Sequence, residues 1–190
     1  MQIINKIFSN VLTALYQPFW FAVILSVLFM YVYKSYTSIK HAVRDWISWF
    51  KSDSLFRRTF LLVFYTVMIL FRTLLNRNMW SNPVSNVIGV WGFYNAKGEL
   101  TTECIENLAL FIPFTILLLC VAKDRIIPRM TIGTVCWSAT KVTFLFSFTI
   151  EMLQLFLRLG TWQLSDLFYN TLGGAIGGMI YYVGYKVKHR

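Results

Sequence analysis

The sequence predicts an all-α, polytopic membrane helix bundle of about five transmembrane helices plus one or two interfacial amphipathic helices. Three observations carry this. Of 190 residues, 57% are hydrophobic and 18% aromatic, and mean hydropathy is +0.57, outside the balance of a soluble domain. Apolar runs long enough for a bilayer core of about 30 Å recur along the chain. The basic residues are distributed unequally between the segments that join those runs.

The elements follow in order. Ile4, Ile7, Phe8, Val11, Leu12 and Leu15 form an apolar stripe within residues 2–15, a weak interfacial anchor. The first span is read at 18–35. Only Lys6 precedes it as a base and no small-residue cleavage site follows, so it is expected to stay in the protein. In residues 38–58, Ile39, Val43, Trp46, Ile47 and Phe50 share one helical face while Lys40, Arg44 and Lys51 lie elsewhere. That pattern predicts a helix lying on the cytoplasmic leaflet. The second span is 59–76. Residues 76–102 hold Asn76, Asn78, Asn82, Asn86 and Asn95 with Pro83, Trp80, Trp91, Phe93 and Tyr94. They read as a structured outer loop, first a membrane-interface anchor and second a glycan-facing surface. The remaining spans are 103–122, 133–156 and 166–185. The chain therefore divides into an N-terminal part, 1–58, a transmembrane domain, 59–185, and a basic tail, 186–190.

Orientation follows from the bases. With the N-terminus outside and the C-terminus in the cytoplasm, cytoplasmic segments carry twelve and outer segments five, with Lys141 inside the fourth span. The net charge of +10 thus reads as a topology signal and an attraction to anionic lipid. It does not read as a nucleic-acid surface, since no soluble basic domain carries one. Three cysteines, split between the two sides, do not suggest a disulfide framework.

Polar residues then sort by depth. Arg72 ends the second span. Thr102 is placed to cap the third, with Glu103 and Glu106 in its first turn, where the helix dipole favours carboxylates. Glu151, Gln154 and Arg158 follow at i, i+3 and i+7 on the outer third of the fourth span. Asp166 and Asn170 begin the fifth. Four helices thus bring polar groups to one level, where each ionisable group costs roughly 2.5 kcal/mol or more and marks a functional site by default. Below Asp166 and Asn170, Gly173, Gly174, Gly177 and Gly178 make two interleaved small-residue pairs. Their expected role is to seat the fifth helix closely against the fourth or the second, with a homodimer through this face as the alternative.

Over about residues 60–183 the chain resembles the VanZ-like membrane proteins. The resemblance rests on Glu106-Asn107-Leu108-Ala109-Leu110-Phe111-Ile112-Pro113-Phe114, on Ser147, Ile150, Glu151 and Gln154, on Arg158, and on Asp166 with Asn170-Thr171-Leu172-Gly173-Gly174; Arg72 fits as well. Where the family usually has further aspartates before Asp166, this chain has Gln163 and Ser165, and Thr115 stands where a glycine usually follows Pro-Phe. The resemblance implies a bacterial cytoplasmic-membrane protein associated with lowered susceptibility to teicoplanin-type lipoglycopeptides. The motif defines no molecular activity.

The chemistry of the cluster leaves three readings. In the first, Arg72, Glu106, Asn107, Glu151, Gln154, Arg158, Asp166 and Asn170 form an outward-facing polar site that acts at the envelope and holds a membrane lipid, a lipid-linked cell-wall precursor or a lipoglycopeptide. Arg72 and Arg158 would grip its anionic head group through bidentate donors. In the second, the protein is a carrier or enzyme acting on a lipid-linked precursor, with Glu151 or Asp166 as general base. In the third, the charges pair with one another and the protein is a non-catalytic membrane scaffold. Catalysis has little support, because no serine or cysteine nucleophile has a histidine nearby, and His41 and His189 fall on the other side. No cofactor is expected; Mg²⁺ on Glu106, Glu151 and Asp166 is the one metal arrangement the carboxylates suggest. Lys141 is expected to snorkel or to pair with a neighbouring helix.

Overall fold

The computed structural model describes residues 5, 9–10, 13, 16–34, 39–95 and 98–189, with the backbone alone for 39–43. The apolar residues of the 2–15 stripe, together with the side chains of Ile39 and Val43, lie outside this description. The described residues form α1 (Phe19–Tyr33), α2 (Ile39–Ser52), α3 (Ser54–Leu70, continued by a π-helical turn, Phe71–Leu75), α4 (Glu103–Ile126), α5 (Ile132–Leu157) and α6 (Leu164–Lys188). There is no sheet among them, only two isolated bridges, Met79 with Leu159 and Tyr94 with Leu100.

Among the described residues, three helices are long and apolar enough to cross a membrane: Ser54–Leu75, Glu103–Ile126 and Ile132–Leu157. The first apolar helix is shorter, 15 residues, or about 22 Å at 1.5 Å per residue. Pro18 stands before its first turn and Lys34 closes it. It buries Ala22, Ser26 and Met30, one stripe at four-residue spacing, and exposes Trp20, Ile24, Leu28 and Val32. Hydroxyls within these apolar helices are satisfied locally: Ser26, Thr59, Thr66 and Thr171 each donate to the carbonyl four residues back.

The amphipathic helix α2 turns sharply into α3. Asp53 caps α3 by accepting from Leu55 N at 2.8 Å and Phe56 N at 3.2 Å. Arg57 closes the end of α2 by donating to the carbonyls of Phe50 and Lys51. Trp46 and Phe50 pack edge-on against Phe60 of α3, with ring centroids 5.7 and 5.9 Å away. The apolar face of α2 thus meets α3 as well as any surrounding lipid.

The centre of the bundle is α6, which lies against both α4 and α5. Its glycines explain how. A Cβ on Gly173 would stand 2.3 Å from Leu108 O, and one on Gly177 2.7 Å from Ile112 O, so this pair seats α6 on α4. Gly174 and Gly178 face Thr143 and Ala139 of α5, with a Cβ at 2.3 and 2.7 Å from the nearest atoms. The neighbours are therefore the third and fourth predicted spans. The second span is not a partner of this seam, and a homodimer cannot use a face already filled within the chain. Below and beside the seam, Ile69, Phe111, Phe114 and Ile150 make one buried cluster and Leu119, Ile127, Val135 and Ala139 another.

Candidate functional site

Of the polar residues expected at one level, all but Arg158 gather at the end of the bundle where α3 finishes and α4 and α6 begin. Each arrives for a local reason. The last turn of α3 slips from α to π hydrogen bonding, with Asn76 N donating to Phe71 O at 2.8 Å. Such turns are rare and frequent at functional sites. This one holds Arg72 beside α4 and leaves the Thr73 carbonyl to accept from Gln154 Nε2 at 2.7 Å.

At the start of α4, Arg72 and Glu106 form an ion pair, with the Glu106 side chain 8% exposed. Glu106 also accepts from Thr102 and from Asn10 Nδ2, the latter at 2.7 Å. Thr102 occupies the expected cap position, yet its hydroxyl serves Glu106 and makes no bond to the helix backbone. Asn10, which the sequence reading did not single out, supplies the contact from the N-terminal segment.

At the start of α6, Asp166 Oδ1 accepts from Asn107 Nδ2 at 2.7 Å. Glu151, buried on α5, accepts from the backbone N–H of Gln163, the residue capping α6, at 3.2 Å. A carboxylate at the positive end of a helix gains from its dipole. Asn170 donates to Ser147 Oγ at 2.9 Å, while its Oδ1 is buried with no hydrogen-bond partner among the described residues.

Arg158 departs from expectation. The chain leaves α5 there in the left-handed conformation, φ 57° and ψ 38°, so helical spacing from Glu151 no longer sets its direction. Its side chain is exposed and lines no part of the cavity. Neither Glu151 nor Asp166 forms an ion pair with an arginine among the described residues. The cation acting on both carboxylates is Arg77, which follows the π turn. Sequence reasoning counted Arg77 only as a loop base; its place five residues after Arg72 was the available signal. Lys141 is exposed on α5 and has no ion-pair partner among the described residues.

These groups surround a cavity of about 320 Å³ lined by Arg72, Arg77, Glu103, Glu106, Asn107 and Asp166, with Asn10, Thr13 and Gln17 on the N-terminal side. Glu151 and Gln154 lie behind this lining. A second chamber of about 440 Å³ shares Arg77, Glu103 and Gln163 with the first and is walled by Asn78, Asn86, Asn95 and Thr161. The 76–102 loop makes that wall because it is strapped to the α5–α6 turn. Trp80 N donates to Arg158 O, Gly160 N to Asn78 O, Trp162 N to Pro83 O and Leu164 N to Val87 O, at 2.8–3.1 Å. Gly89, at φ 74°, passes so close to Ser165 that a Cβ would overlap its Oγ at 1.9 Å. Asn78, Asn86 and Asn95 of the loop line this chamber, while Met79, Ile88 and Trp91 are exposed.

Among the described residues no three potential ligands gather around a point that could hold a metal ion. Glu106 pairs with Arg72 and accepts from Thr102, and Glu151 accepts from the Gln163 amide. Of the two arginines lining the cavity, Arg77 forms no ion pair among the described residues.

A family model described as VanZ/LLP1 matches residues 19–185. No curated protein and no solved structure matches the chain. The match takes in α1 and α2 as well as the 60–183 stretch that carries the motif resemblance. The chain belongs to the VanZ/LLP1 family, and is thus a membrane protein of a family associated with glycopeptide resistance.

Proposed function

We propose, from the premise of VanZ/LLP1 membership, that this protein lowers the action of teicoplanin-type lipoglycopeptides at the outer face of a bacterial cytoplasmic membrane. It does so by holding the head group of an envelope amphiphile in the paired cavities. The observation that carries this reading is the position of Arg77. It lies where both chambers meet, exposed and without an ion pair among the described residues, whereas Arg72 is neutralised by Glu106. Arg77 takes the anionic portion of the head group, and Glu103, Asn107 and Asp166 take its hydroxyl and amide donors. An acyl chain leaves sideways along the apolar helices. No covalent chemistry is assigned.

One observation favours the scaffold reading instead. Arg72 with Glu106, and Asn107 with Asp166, satisfy one another without any ligand. The experiment that separates the two expresses wild type, Arg77→Gln and Asp166→Asn at matched membrane levels in a susceptible Gram-positive host. Surface binding of fluorescent teicoplanin is then recorded. Wild type lowering binding while both variants fail supports the cavity. Equal lowering by all three makes the cluster architectural. No lowering by wild type removes the resistance reading for this chain.

A further inference from the structure

At the end of the bundle remote from Glu106, α3, α4 and α6 enclose a separate groove of about 460 Å³. Its floor is apolar, with Ile116 and Ile180 beside the bare backbone of Gly184, and its rim carries Arg58, Lys123 and Lys188. We infer that this groove is a site for one anionic phospholipid, its acyl chain between the helices and its phosphate against the three cations.

Charge complementarity selects the occupant. None of the three cations forms an ion pair among the described residues, and neither does Asp124, the acid next to Lys123. Cations in the last turns of α4 and α6 offset the helix dipoles, which accounts for Lys123 and Lys188 individually. It does not account for Arg58, which belongs to the start of α3, where the dipole offers a cation nothing. Its neighbour Arg57 is occupied by the carbonyls of α2, whereas Arg58 makes no hydrogen bond among the described residues and turns to the groove. The rim is also ordered. Lys123 Nζ lies 5.4 Å from the Tyr185 ring centroid, and the His189 ring stacks on Tyr185 at 4.1 Å. A small soluble anion would not use the apolar floor; an amphiphile uses both parts. The floor is open down to the helix backbone, because a Cβ on Gly184 would meet nothing within 4 Å.

The test places the purified full chain in nanodiscs of equal phosphatidylcholine and phosphatidylglycerol, then extracts it and quantifies co-purifying lipid by mass spectrometry. Wild type is expected to retain phosphatidylglycerol preferentially. The Arg58→Gln/Lys123→Gln variant should lose that preference by roughly fivefold for each cation removed. Gly184→Leu, which fills open space and keeps every charge, should lose it too. Arg125→Gln/Lys186→Gln, altering bases that do not line the groove, should keep it. The proposal is overturned if the first variant or Gly184→Leu retains the preference. It is equally overturned if the off-groove variant loses as much, which would show general surface attraction.

Discussion

Helix α6 treats the same two neighbours in opposite ways along its length. Over Gly173–Gly178 its backbone lies directly on α4 and α5, with no room for a single added carbon. In the two turns before it, Asp166 accepts a hydrogen bond from Asn107 of α4, Asn170 donates one to Ser147 of α5, and a cavity opens beside Asp166. The seam satisfies its own two buried hydroxyls, with Thr115 and Thr143 bonded to each other at 3.1 Å and Thr115 also on the Phe111 carbonyl, whereas the polar end carries ionisable side chains. The lesson is a division of labour: the seam sets the helix spacing, and the polar groups are held at that spacing by packing they do not themselves provide.

The comparison breaks most visibly at the seam. Gly173→Leu should cost more than about 3 kcal/mol, since overpacking against a backbone carbonyl cannot be relieved by a rotamer change. Size-exclusion chromatography in detergent should show loss of monodisperse protein. Gly184→Ala on the same helix, facing open space, should stay within about 0.5 kcal/mol of wild type. If both behave alike, the seam is not what spaces the helices.

Next in size is the ion pair at the polar end. Arg72→Met leaves Glu106 buried without its cation and should cost about 3 kcal/mol. Adding Glu106→Leu should restore part of the loss, and a thermal-unfolding double-mutant cycle measures the coupling. Additive losses would mean that the two side chains act independently.

A smaller effect is expected deeper, between the two regions. Ser147→Ala removes the partner of Asn170 Nδ2, whose Oδ1 already lacks one among the described residues. The expected cost is about 1–3 kcal/mol. No change in melting temperature would indicate that another group satisfies Asn170.

The smallest stability effect belongs to Arg77→Gln. The residue is exposed, so the fold should hold to within about 0.5 kcal/mol, while any effect on fluorescent teicoplanin binding disappears. A destabilised Arg77→Gln protein would instead make Arg77 part of the scaffold.

Much of this arrangement was legible beforehand. The predicted runs 59–76, 103–122, 133–156 and 166–185 each fall within a residue of, or inside, the helices Ser54–Leu75, Glu103–Ile126, Ile132–Leu157 and Leu164–Lys188. Hydrophobic length is read directly from composition, and Glu106, Glu151 and Asp166 stand out because charge is rare in such runs. Arg158 misled because helical spacing was extended one residue past the end of α5, into a left-handed turn. Arg77 was passed over because a π turn leaves no trace in hydrophobic periodicity. Nor could spacing reveal that the 76–102 loop is tied to the α5–α6 turn by backbone bonds, which any residue type can make.

By itself, then, the sequence determined the helical class, the approximate positions of the apolar helices and the ends of them at which most polar groups lie. These follow from local properties: residue hydrophobicity, rise per residue and the cost of burying charge. Tertiary structure alone decided that α6 packs between α4 and α5, that Glu106 takes Arg72 while Asp166 takes Asn107, and that Arg77 rather than Arg158 reaches the cavity. Those outcomes depend on backbone approach at the glycines and on two irregular turns, where single dihedral angles, and not residue patterns, aim the side chains.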